Sequence, residues 1–110
     1  MADYIIIDSP AGLSAALEAS HREPVVLFKH STRCSISTLA KSRVDQALRS
    51  DELGAPVFYL DLIANRDISD AIAKQLGVRH ESPQVIVVKD GVATYVATHL
   101  DIDPYAFKLN

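Results

Sequence analysis

Pro24-Val25-Val26-Leu27-Phe28-Lys29-His30-Ser31-Thr32-Arg33-Cys34-Ser35-Ile36-Ser37 is the stretch on which the reading of this chain turns. Residues 25–29 form a near-continuous apolar run, which suits a central strand covered on both faces. His30-Ser31-Thr32-Arg33 reads as a turn. From Cys34 or Ser35 to about Arg49, the residues Ile36, Leu39, Ala40, Val44, Ala47 and Leu48 recur at helical spacing. Cys34, the one cysteine among 110 residues, therefore falls where a strand turns into a helix.

The flanking sequence extends this pattern in both directions. Residues 4–7 are short, apolar and β-branched, a strand signature. Ser9-Pro10 offers an N-cap followed by proline at the first helical position, and Leu13, Ala16 and Leu17 make one apolar face. After the helix that follows Cys34, Gly54-Ala55-Pro56 breaks the chain and Val57-Phe58-Tyr59-Leu60 reads as a third strand. Asn65 is placed to cap a third helix lined by Ile68, Ala71, Ile72 and Leu76 and ended by Gly77. Residues 84–89 and 92–98 flank Asp90-Gly91, a two-residue hairpin signal. Asp103-Pro104 could open a short last helix. The order is β-α-β-α-β-α-β-β-α, an α/β domain spanning 1–110 with parallel pairing where strands and helices alternate and an antiparallel edge from the hairpin. This is the order of the thioredoxin fold, a central mixed sheet flanked by helices.

In that setting Cys34 can be read two ways. A lone cysteine is often a small buried core residue. At the first turn of a helix, however, a thiol faces unsatisfied N–H groups and the positive end of the macrodipole, which favour the nucleophilic thiolate. Arg33 is adjacent, with Lys29 and His30 shortly before, so a locally positive field is expected. Ser82-Pro83, immediately before the fourth strand, tips the reading toward a reactive site. If cis, that bond would turn the N–H and C=O of Ser82 toward the cysteine loop, where they could hold a substrate backbone as an added strand. Ser37 occupies the position at which a dithiol enzyme carries its second cysteine. Its hydroxyl could donate to the thiolate, or it could be an ordinary first-turn residue; it cannot form a disulfide. Chemistry at Cys34 must then be monothiol, with an external thiol completing the cycle.

Composition narrows the classes. A net charge of −3 argues against a nucleic-acid partner. No run of about 18 apolar residues is present for a membrane span, and the first residues lack a secretory signal. A cytoplasmic location is expected. His21, His30, His80 and His99 show no metal-ligand spacing, so neither a metal nor another tightly bound cofactor is expected. His30 could act as a base, though a strand-end position points rather to a solvated residue. Asp61 reads as a strand-end residue, Phe58 and Tyr59 as core.

The stretch Phe28-Lys29-His30-Ser31-Thr32-Arg33-Cys34-x-Ile36-Ser37, the Ser82-Pro83-Gln84 segment and the Lys89-Asp90-Gly91 hairpin together resemble the monothiol bacilliredoxins, the YtxJ-type thioredoxin-fold proteins of the bacillithiol system. The family pattern is Cys-Pro-Ile-Ser; here Ser35 replaces the proline and its rigid first helical position. The resemblance implies a thiol-disulfide oxidoreductase that removes bacillithiol, or a similar low-molecular-weight thiol, from S-thiolated proteins. Cys34 would be the attacking thiol, Thr32, Arg33, His30 and Ser37 the surroundings of the thiolate, and Ser82 and Pro83 the substrate contact. Bacillithiol would be a co-substrate. Two alternatives stay open: a glutaredoxin-like iron–sulfur cluster carrier, which would carry Cys-Gly-Phe-Ser, and a non-catalytic thioredoxin-fold stress or interaction protein.

Overall fold

A computed structural model describes residues 4–31, 35–49 and 54–104. Strand β1 (Ile5–Ile6), helix α1 (Pro10–Ala19), strand β2 (Val25–His30), helix α2 (Ser35–Arg49), strand β3 (Val57–Asp61), helix α3 (Arg66–Leu76), strands β4 (Gln84–Lys89) and β5 (Val92–Thr98) and a 3₁₀ turn (His99–Asp101) follow in that order. Local chemistry explains the boundaries. The Ser9 side chain accepts from the N–H of Gly12 at 3.1 Å and Pro10 opens α1. Gly77, left-handed at φ 65°, closes α3. Asp90 and Gly91, both at positive φ, make the tight β4–β5 turn. The last helix anticipated after Asp103 falls largely on residues outside those described; the 3₁₀ turn preceding it has no sequence signal that we read.

The five strands form one sheet in the order β1-β3-β2-β4-β5. β1 and β2 run parallel to β3, whereas β4 runs antiparallel to β2 as well as to β5. Parallel pairing is thus confined to the first three strands, less than strand–helix alternation suggests. After α3, residues 78–83 bring the chain back to the end of the sheet where β2 stops, so β4 starts beside that end, with Gln84 opposite Lys29.

All six residues of β2 are buried, as a strand covered on both faces requires. On one face Val26 and Phe28 pack with Val85, Val87 and with Ala40, Val44, Ala47 and Leu48 of α2. On the other, Val25 and Leu27 pack with Ile86, Val88 and with Leu13, Ala16, Ile68 and Ile72 of α1 and α3. The buried stripe of α2 begins at Ser37, so Ile36 and Leu39 face outward, at 37% and 46% exposure. Arg43 Nη1 donates to the carbonyls of Leu100 and Ile102, both at 3.2 Å, and ties α2 to the 3₁₀ turn. No helix among the described residues is long and apolar enough to cross a membrane.

Candidate functional site

Of the residues singled out in the sequence, His30, Ser37, Ser82 and Pro83 fall at one end of the sheet, where β2 finishes, α2 begins and β4 starts. Thr32, Arg33 and Cys34 lie outside the described residues. Their flanks are joined directly. The N–H of Ser31 donates to Ser37 Oγ at 3.0 Å, and Ser37 Oγ lies 3.0 Å from His30 Nδ1. Ser37 is fully buried. Its hydroxyl is therefore more than a first-turn ornament of α2: it staples the end of β2 to the start of the helix.

His30 departs from the solvated strand-end residue expected. It is only 4% exposed, because it continues the row Val26–Phe28 on the face covered by α2. Its ring sits 5.7 Å from Tyr59 and 5.9 Å from Phe28, and Tyr4 joins the same aromatic group, 5.2 Å from Tyr59. These are ordinary packing separations for ring centroids. Burial, with the Lys41 cation nearby, holds the imidazole pKa below its usual value, and Asp61, Ser37 and Asp45 pull only partly the other way. At neutral pH His30 is a neutral ring. Its tautomer then sets what Ser37 can do. With the proton on Nδ1, His30 donates to Ser37 Oγ and leaves the serine O–H free to donate elsewhere; with the proton on Nε2, Ser37 donates to His30 instead.

Of the cations expected near the thiol, Arg33 lies outside the described residues, and the other two depart from the expectation. His30 is neutral, and Lys29, one residue earlier on a pleated strand, points to the opposite face. Among the described residues, Lys41 of α2 places a cation beside the aromatic group on the face that α2 covers. Its Nζ lies 5.3 Å over the Tyr4 ring and 3.1 Å from Asp45 Oδ2, and Tyr4 donates to Asp45 as well. That cluster went unread in the sequence because Tyr4 and Asp45 are 41 residues apart. Asp61 sits opposite His30 in the parallel register and accepts from the N–H of Ile63 at 3.1 Å, so it is both strand end and neighbour of the site. Phe58 is core; Tyr59 belongs to the aromatic group beside His30.

The Ser82–Pro83 peptide bond is cis. Pro83 directly precedes Gln84, the residue paired with Lys29, so one step along the register sets it at the level of His30. The Pro83 carbonyl accepts from the N–H of His99 at 3.0 Å. Ser82 Oγ is buried and, among the described residues, has no hydrogen-bond partner. No group of three or more metal-ligating side chains gathers among the described residues.

A single sulfur, a helix start held by a buried serine hydroxyl and a cis proline before the next strand can support nucleophilic thiol exchange and, with one sulfur, no internal disulfide. The chain is similar to several known proteins. A family model described as monothiol bacilliredoxin BrxC matches residues 5–107. A solved thioredoxin-fold protein, provisionally described as an oxidoreductase, shares 30% identity, with 94% of this chain and 88% of that one covered and a TM-score of 0.81. A point mutant of thioredoxin from Halobacterium salinarum NRC-1 (18% identity, 96% and 85% covered, TM-score 0.73) and thioredoxin O2 from Arabidopsis thaliana (19%, 90% and 84%, 0.70) share the fold.

Proposed function

This chain belongs to the monothiol bacilliredoxin family, and on that premise we propose that it releases bacillithiol, or a closely similar low-molecular-weight thiol, from mixed disulfides on proteins. Its general class is a monothiol redox protein of thioredoxin fold. The observation that carries the finer reading is the Ser31–Ser37–His30 staple, which puts a buried hydroxyl, not a second sulfur, at the fourth position of Cys34-Ser35-Ile36-Ser37.

The Cys34 thiolate attacks the bacillithiol sulfur of the mixed disulfide. That disulfide breaks, the protein thiolate leaves, and Cys34 carries the small thiol as a new mixed disulfide. A second small-thiol molecule attacks this bond, leaves as the symmetric disulfide and regenerates the Cys34 thiolate. The sum consumes one free small thiol and frees one protein thiol for each mixed disulfide, the other half of the symmetric disulfide coming from the mixed disulfide itself. The N-terminus of α2 favours the anion. Ser37, when His30 donates to it from Nδ1, has its O–H free for the thiolate. The backbone N–H and C=O of Ser82, before the cis Pro83, are assigned to hold a substrate backbone, a reading that the cis bond supports. Arg33 and Thr32 are assigned to the same turn by sequence position.

The test is thiol transfer followed by intact mass. Wild type and Cys34→Ala are mixed with a bacillithiolated model protein, and in parallel with a glutathionylated one. The expected result is a gain of one bacillithiol on wild type alone with the substrate reduced. Transfer from the glutathionylated protein only would move the assignment to another thiol, and no adduct from either would end the enzymatic reading.

A further inference from the structure

The face of β2 turned away from His30 ends in an unusual side chain. Lys29 continues the apolar row Val25–Leu27 and is fully buried. Directly opposite, on β4, Gln84 ends the row Val88–Ile86 and is 1% exposed. Two apolar rows thus end side by side in a buried lysine and a buried glutamine, at the place where residues 78–83 cross toward β4. An ammonium taken out of water is costly, and an apolar residue would fill the space more cheaply.

Three of the pair's polar contacts run to α3 and the crossing segment, while Gln84 Oε1 is buried without a partner among the described residues. Lys29 Nζ donates to the Ser69 carbonyl of α3 at 3.2 Å and lies 3.3 Å from His80 Nδ1. An ammonium has no lone pair, so the single lone pair of Nδ1 accepts in that contact, and Ser69 Oγ lies 3.2 Å from the same nitrogen. Gln84 Nε2 donates to the Arg79 carbonyl at 2.9 Å. Successive residues of the crossing segment are therefore gripped from beneath, one from each central strand. Arg79 and His80 are themselves exposed, and the ion pairs this segment makes outside, Arg79–Glu81 at 3.8 Å and Glu81–His99 at 4.0 Å, are long and solvent-facing. Such pairs constrain a chain weakly. At its two ends the segment is also tied through Val78, whose N–H donates to the Ala73 carbonyl at 3.1 Å, and through the Pro83 carbonyl; between them the inner contacts hold Arg79 and His80.

We propose that Lys29 and Gln84 are positioning residues that brace residues 78–83 through His80 and Arg79, and so hold Ser82 where a thiolated protein docks. The role assigned to Ser82 rests on the functional reading above; the brace itself does not. Lys29 acts through His80 and touches no substrate, so its loss is felt in substrate affinity and not in the sulfur chemistry.

The experiment compares wild type with Lys29→Met, which fills the same volume, His80→Ala at an exposed position that the core does not need for folding, and His80→Asn, which restores an acceptor. KM and kcat on the bacillithiolated protein are measured together with amide hydrogen exchange across 78–82. Lys29→Met and His80→Ala are expected to raise KM about fivefold, the scale of one lost hydrogen bond, with kcat within about twofold and faster exchange confined to the segment; His80→Asn recovers most of the affinity. Unchanged exchange in both Lys29→Met and His80→Ala would overturn the brace. Faster exchange with unchanged KM would overturn its link to docking. A wild type that leaves the substrate untouched would overturn the functional reading, and exchange alone would then decide the brace.

Discussion

Strand β2 ends in two buried polar residues, one on each face, and they are held in opposite ways. His30 faces α2, where burial and Lys41 keep it neutral, and it shares Ser37 Oγ with the N–H of Ser31. Lys29 faces α3, where desolvation lowers its pKa to about 8 against a partial pull upward from Asp70. At neutral pH it is still a cation inside the protein, with a carbonyl and an imidazole as partners. The first face is a neutral hydrogen-bonded staple, which costs little to bury once satisfied. The second retains a charge, which fold stability alone does not call for. Where a buried charge persists beside a neutral alternative, its use should be sought in what it holds.

The largest expected effect tests this directly. The unfolded chain keeps the ordinary lysine value of 10.5 while the folded one has about 8. Below pH 8 both states are protonated and folding bears the full cost of burying the charge; above 10.5 neither is, and the cost is gone. Wild-type stability attributable to Lys29 should therefore rise between those limits, by on the order of 3 kcal/mol. Lys29→Met should lack that rise and unfold later than wild type at pH 7. Denaturant melts of both proteins from pH 7 to 10.5 provide the check, and a less stable Lys29→Met would mean that the two faces are alike, each polar group a net support.

On the other face the opposite sign is expected. Ser37→Ala leaves the Ser31 N–H and His30 Nδ1 without their buried partner, a loss of about 1–3 kcal/mol seen in the same melts. Thiol transfer should slow as well, because the tie between Ser31 and Ser37, on either side of Cys34, is lost. A variant of wild-type stability would reduce Ser37 to a bystander.

The smallest effect is the response to acid. The folded pKa of His30 is depressed, so on acidification the unfolded chain takes up a proton near the usual value of 6.5 that the folded protein refuses until lower pH. Stability should fall as pH drops through that window. His30→Asn, which offers a polar atom at the same branch point, should show a shallower fall. Equal slopes in acid melts would place the sensitivity elsewhere, with His80, also depressed by burial and by Lys29, the next residue to replace.

Much of the fold is legible in local signals. The apolar run at β2, the helical spacing after Cys34, the caps at Ser9 and Gly77 and the Asp90-Gly91 turn are such signals, and each element formed where they pointed. Ser82-Pro83 draws attention in the sequence only because of where it falls in the strand order. The directions of Lys29 and His30 are hidden for a physical reason: a strand buried on both faces shows no polar–apolar alternation from which to read them. His30 reads as solvated because a strand end is judged from its own neighbours, whereas its burial comes from α2, Phe28 and Tyr59. Antiparallel β4 was missed because alternation of strands and helices does not say at which end of the sheet a connection returns.

The sequence by itself determined the succession of strands and helices and a chemistry limited to one sulfur at a strand-to-helix turn, since periodicity, capping and cysteine count are properties of short stretches. Only the tertiary structure decided that Ser37 staples His30 to the turn and that Lys29 grips Ser69 and His80, 40 and 51 residues away. Those contacts exist because the sheet sends alternate side chains to opposite faces and because residues 78–83 return to the end of the sheet where β2 stops, and neither is written in any one segment.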